Sequence, residues 1–176
     1  MIPLLRHLLA IAILPGTVML LVPIWIARRY PVALALGESV RQVALQALGL
    51  ALFAVGLLLF LASLRRFATE GRGTLAPWDP PRALVLHGPY RFVRNPMISG
   101  VIFILFAEAF ALLSLPHGIW AAAFLMLNLL YIPLMEEPRL ERRFGDSYRE
   151  YRHQVPRFLP RLRPWDPGAP PRRGAA

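Results

Sequence analysis

The sequence predicts an all-α integral membrane bundle of about four transmembrane helices, with a cytoplasmic loop before the third and an amphipathic helix after the fourth. Three observations predict it. Apolar runs at 8–27, 43–64, 97–115 and 119–135 each approach the ~20 residues that a helix needs to cross hydrocarbon. Of the 176 residues, 56% are apolar and only 17% charged, with a mean hydropathy of +0.48. An average soluble domain is nearer about a quarter charged. Finally, the arginines are distributed unevenly between the two sides that four spans would create.

The first run, Leu8 to Ala27, is closed by Arg28-Arg29-Tyr30. Ala33-Leu34-Ala35 resembles a signal-peptide cleavage site, but a signal peptide carries its positive charge before the apolar stretch, so the run is read as a span. The second, Val43 to Leu64, is closed by Arg65-Arg66. The third, Met97 to Leu115, is interrupted by Glu108 and two serines. The fourth, Ile119 to Met135, ends at Glu136-Glu137. Only Pro116-His117-Gly118 separates the last two, which predicts a tight helical hairpin. Pro15, Pro23 and Pro133 are tolerable kinks in membrane helices.

The N-terminus, the 65–96 loop and the C-terminal tail hold 1, 6 and 10 arginines, against Arg28, Arg29 and Arg41 on the other side. The positive-inside rule then places both termini and the long loop in the cytoplasm, in a bacterial inner membrane. The net charge of +10 is thereby explained without nucleic acid, for which no reading motif is present. Cysteine is absent, which excludes disulfides and thiolate chemistry. His7, His87, His117 and His153 show no ligand spacing, so no metal site is expected.

Thr69 to Pro81 is rich in Gly and Pro and reads as loop. Its Gly71-Arg72-Gly73 lacks the rest of a dinucleotide fingerprint, and Ser99-Gly100 is not a nucleophile elbow. In the tail, Leu140, Phe144, Tyr148, Tyr151 and Val155 recur on one helical face, with Arg139, Arg142, Arg143, Arg149 and Arg152 around them. Such a helix either lies on the bilayer against anionic headgroups or packs on the protein's own loop. Residues 1–160 read as a single domain and 161–176 as a flexible tail. Pro-Trp-Asp-Pro occurs at 77–80 and 164–167; Trp78 and Trp165 are interfacial anchors or coincidence.

Two clusters carry chemistry. Leu86 to Met97 (LHGPYRFVRNPM) precedes the third run, and Glu136-Glu137 follows the fourth. The hairpin brings both to one membrane face. Adjacent glutamates point about 100° apart on a helix, so they do not form a proton-sharing dyad. One can accept from a ribose diol, and the other can pair with Arg94 or another loop arginine. Arg94 alternatively forks a cofactor carboxylate, and Tyr90 and Phe92 offer faces for adenine or a sulfonium. Glu108, an acid within an apolar run, either lines an acceptor tunnel or bonds Asn128 of the neighbouring span.

The pattern GPYRxVRNPM, a short hairpin, then EEPxLexrFGdxYxxYxxxVPRxxP resembles the isoprenylcysteine carboxyl methyltransferase family and the related phospholipid N-methyltransferases, over roughly residues 82–160. The resemblance implies a membrane methyltransferase that binds S-adenosylmethionine at the cytoplasmic end of the last two helices. It implies that backbone from Arg82 to Val85 touches the cofactor, as do Tyr90 and Glu136, with Asn95-Pro96-Met97-Ile98 matching the His-Pro-x-Tyr after the motif arginine. The cofactor-binding set is thus Leu84, Val85, His87, Gly88, Tyr90, Arg94, Asn95, Pro96, Met97, Ile98, Glu136 and Glu137. Arg94 and Glu137 are the catalytic candidates, and Glu108 contacts a lipid-soluble acceptor. Asn95, Ile98 and Ile132 depart from the prenylcysteine pattern, and Asn-Pro-Met matches the phospholipid enzymes. The acceptor stays open among amine, carboxylate and thiol. An NADPH-dependent enzyme like the membrane sterol reductases, or a non-catalytic protein binding anionic lipid, are the alternative readings.

Overall fold

Backbone groups in an apolar environment must bond one another, and the apolar runs accordingly fold as helices. The computed structural model describes residues 15–32, 39–71 and 83–166. Its helices are α1 (Val22–Arg29), α2 (Val40–Glu70), α3 (Pro96–Ala111), α4 (Leu115–Tyr131), α5 (Glu137–Phe144) and α6 (Asp146–Gln154). A widened turn, Thr17–Leu21, leads into α1, and another, Ile132–Glu136, joins α4 to α5 without a break. No strand occurs among the described residues.

Two helices are long and apolar enough to cross a membrane: α2, with 31 residues, and the continuous Leu115–Phe144, with 30. Only 22% and 17% of their apolar windows are buried, so both face outward. Leu50, Leu58, Leu61, Leu127, Leu130 and Leu134 are among the exposed side chains. A continuous apolar exterior of this kind suits lipid rather than water. Among the described residues these helices are two of the four spans expected. α3 has 16 residues, about 24 Å of helix against about 30 Å of hydrocarbon. Of the first run, the part before residue 15 lies outside the described residues, as do Ala33-Leu34-Ala35 and the 77–80 copy of Pro-Trp-Asp-Pro.

α2 and α3 form the main packed pair, antiparallel and in close contact. A Cβ at Gly49 would meet Ala107 O at 2.9 Å, and one at Gly56 would meet Gly100 O at 2.8 Å. Small residues let the backbones touch, the usual device where lipid offers no hydrophobic drive between helices. Phe60, Val101, Leu105 and Ala121 form the core between α2, α3 and α4.

The hairpin turn lies at 112–114, not at 116–118. Leu113 takes the left-handed conformation (φ 48°), and Pro116 sits within the first turn of α4, where its missing N–H costs nothing. His117 and Gly118 are therefore helical. Buried His117 bonds Ser114 Oγ at 2.7 Å and Pro23 O at 3.2 Å, tying the hairpin to α1. Trp120 Nε1 donates to Val18 O at 3.1 Å. In the widened turn that carbonyl would look to residue 23, which is a proline with no N–H, so Trp120 satisfies what Pro23 leaves open.

The predicted tail helix is two helices, α5 and α6, which turn at Gly145. Its apolar face packs on the protein's own loop: Tyr148, Tyr151 and Val155 gather Leu84, Leu86, Leu140, Phe144 and Trp165. The chain expected to be flexible from 161 onward is bonded as far as Trp165. Arg161 N donates to Phe92 O and Trp165 N to Arg91 O, both at 2.9 Å. Residues 167–176 lie outside the described residues.

Candidate active site

The site forms where α2 ends, α3 begins and α4 runs into α5. Leu84 and Leu86 join the α6 cluster, while buried Val85 approaches Gly71 beyond the end of α2. Gly88 has φ +60°, and a Cβ there would lie 3.1 Å from Arg66 Nε, so the tight turn Gly88–Arg91 suits glycine on both counts. Asn95 O accepts from Ser99 N and Ser99 Oγ, both at 3.0 Å, and buried Pro96 opens α3. Met97 packs on the core, and Ile98 is half-buried.

The loop is held from behind. Tyr151 OH donates to Tyr90 O at 2.8 Å, Arg94 N donates to Pro156 O at 2.9 Å, and Arg91 Nε donates to Trp165 O at 2.6 Å. His87 is exposed and meets Glu70 Oε2 at 2.9 Å, while Arg66 takes Oε1 at the same distance. Burial raises the Tyr90 phenol above its ordinary value, and the Glu136 and Glu70 carboxylates raise it further.

Glu137 is 3% exposed and lies between two arginines. Arg157 grips it bidentately, Nε to Oε1 at 2.6 Å and Nη2 to Oε2 at 2.8 Å. Arg94 Nη1 stands 3.0 Å from Oε1 as an ion pair without hydrogen-bond alignment. The Arg94 side chain is 9% exposed, yet its Nε and Nη1 have no hydrogen-bond partner. Tyr148 lies beside this pair; burial pushes its phenol up to about 12, with Glu137 adding to the rise.

The two sequence clusters thus meet: Tyr90, Arg94, Glu136 and Glu137 converge. Glu137, one of the two catalytic candidates, has both its oxygens facing guanidinium groups. Its geometry is that of an anchor for Arg94. Glu108 is not brought to the site. It lies 12 residues into α3, about 18 Å from Pro96 along the helix. Nor does it bond Asn128, whose Nδ2 donates to Phe124 O at 2.8 Å. Gly118 packs at the level of Ala109, next to Glu108 in the chain, and Asn128 lies more than two turns further along α4. Arg82 lies outside the described residues. A cavity of about 550 Å³ lined by Arg41, Gln42, Phe106, Phe110 and Leu113 opens at the hairpin end, away from these groups.

Sequence reasoning missed Arg157, Glu70 and Tyr148 as members of this site. Arg157 had a signal, the Val-Pro-Arg that closes the second motif. Glu70 and Tyr148 had none, since one reads as a helix end and the other as one more residue of an apolar face.

The chain matches the family profile described as phospholipid methyltransferase over residues 44–147, from early α2 into α6. No curated protein and no solved structure matches it.

Proposed function

Because the chain belongs to the phospholipid methyltransferase family of membrane proteins, we propose that it is an S-adenosylmethionine-dependent methyltransferase whose acceptor is a lipid-like molecule in the bilayer. The observation that carries the reading is Arg94, buried and ion-paired with Glu137 through Nη1 while its Nε has no hydrogen-bond partner. Unsatisfied donors of a buried guanidinium are what an incoming carboxylate needs, and S-adenosylmethionine has one.

In this reading Arg94 holds the cofactor carboxylate and Glu136 accepts from the ribose diol. Tyr90, Gly88 and the backbone of Leu84 to His87 line the cofactor's path beside them. Asn95, Pro96, Met97 and Ile98 form the first turn that floors it. Glu137 and Arg157 position Arg94. When bound, the cofactor supplies a methyl group on a sulfonium, ready for in-line displacement. The residues need mainly to orient the two partners and keep water out, so the lack of a catalytic triad is consistent with this chemistry. Asn95 and Ile132, together with Asn95-Pro96-Met97 itself, favour a phospholipid-type acceptor over a prenylcysteine carboxylate. The seventeen-to-three arginine count favours a cytoplasmic site.

Ligand-induced stabilisation tests the cofactor. At a concentration of about a hundred times Kd, a bound ligand adds about 2.7 kcal/mol to stability. S-adenosylmethionine and its demethylated product are expected to raise the melting temperature of the detergent-solubilised protein, and NADPH is expected to leave it unchanged. The reverse pattern would favour the reductase reading.

A further inference from the structure

The segment after α6 presents two leucines to nothing in the protein. Leu159 and Leu162 are 79% and 101% exposed. The rest of the segment is well held: Val155 is buried, Arg157 grips Glu137, and Trp165 packs on Tyr151 at 5.6 Å between ring centroids. The leucines are thus displayed by an ordered stretch of chain.

Their level relative to the membrane follows from the bonds around them. Pro156 O accepts from Arg94 N, and Arg161 N donates to Phe92 O. Residues 92–94 come just before α3, and Arg157 bonds Glu137, two residues after Met135, where the fourth apolar run ends. Leu159 lies between these ties and Leu162 between Arg161 and Trp165, whose N donates to Arg91 O, so both sit where the apolar helices leave the bilayer. Exposed Arg139, Arg143 and Arg163 lie on the same segments. Leucines flanked by arginines at that depth have the chemistry of an interfacial anchor, with apolar groups at the acyl boundary and cations among phosphates.

We propose that residues 155–166 are an interfacial membrane anchor, in which Leu159 and Leu162 enter the headgroup–acyl boundary of the bilayer that the helices cross and the neighbouring arginines meet anionic headgroups. The apolar face of α5 and α6 is spent on the protein itself, so this segment, rather than the helices, makes the contact. Since the segment is bonded to Arg91, Phe92 and Arg94, the bilayer and the site loop share one support. The proposal does not depend on which cofactor the site takes.

The chain has no cysteine, so single labels are clean. Leu162→Cys and Leu159→Cys would each carry an environment-sensitive fluorophore, with exposed Glu150→Cys on α6 as the reference. The full chain would be reconstituted in nanodiscs of phosphatidylcholine mixed with phosphatidylglycerol. Two leucine positions guard against one variant failing to fold. The expected result is that labels at 159 and 162 lose most of their fluorescence to spin-labelled lipid and resist aqueous iodide, while the label at 150 behaves oppositely. Labels at 159 and 162 as open to iodide as that at 150 would overturn the proposal. So would protection that is insensitive to spin-labelled lipid and vanishes at one chain per disc, since that would identify a second copy as the occupant.

Discussion

Glu136 and Glu137 are neighbours with different surroundings. Glu137 is enclosed by Arg94 and Arg157, whereas Glu136 is half-buried, and its carboxylate helps raise the Tyr90 phenol. Glu136→Gln removes the charged acceptor and keeps the shape. It is expected to weaken binding of S-adenosylhomocysteine by about 1.5–3 kcal/mol, the usual worth of a hydrogen bond to a charged group. Calorimetry on the folded variant showing unchanged affinity would remove Glu136 from the site. The tyrosines behind the loop set a pH dependence. Tyr148 is pushed up to about 12 by burial, and burial raises Tyr151 and Tyr90 as well. Above the ordinary phenol value of about 10 the unfolded chain releases protons that the folded chain keeps, so stability falls as pH rises from there towards 12. Melting measured from about pH 9 to about pH 12 is expected to show this fall, and Tyr148→Phe is expected to make it shallower. A slope that the variant leaves unchanged would contradict the assignment to Tyr148.

At the scale of helices, the α2–α3 contact is the one with least room. Gly56→Ala would place a Cβ 2.8 Å from Gly100 O and 3.0 Å from Ile104 Cγ1. Backbone cannot yield as a flexible side chain does, so the helices must separate, at about 1–3 kcal/mol of overpacking. A lowered melting temperature in detergent is the expected outcome; one equal to the parent's would show that the contact is looser than its geometry implies. The helices themselves were legible because their apolar runs are long, the first two being closed by arginine pairs. Their ends were less so. Proline reads as a breaker in sequence, but Pro116 is a helix starter, and only the left-handed Leu113 reveals where the turn lies. α3 was drawn too long for the same reason, with Leu112 to Leu115 being turn and the start of α4. The amphipathic period of 140–155 was read correctly, but periodicity does not name a partner, and the face proved to be covered by Leu84, Leu86 and Trp165.

For the whole molecule, the hairpin was the inference that mattered, because it carried two motifs 45 residues apart in sequence to one end of the bundle. Tyr90, Arg94, Glu136 and Glu137 could be named from their types and that topology. The Arg157–Glu137 bond and the placement of Glu70 could not, since each joins distant segments whose approach only the fold decides. Glu108, conspicuous for the cost of an acid in an apolar helix, lies at the hairpin end of α3. The account as a whole rests on methyl transfer to something dissolved in the membrane. The measurement that tests it most directly is to incubate the purified full chain with methyl-labelled S-adenosylmethionine and a total lipid extract and locate the label. The account predicts label in the lipid fraction, lost in Arg94→Gln. Label confined to a soluble small molecule, with none in lipid, would contradict it.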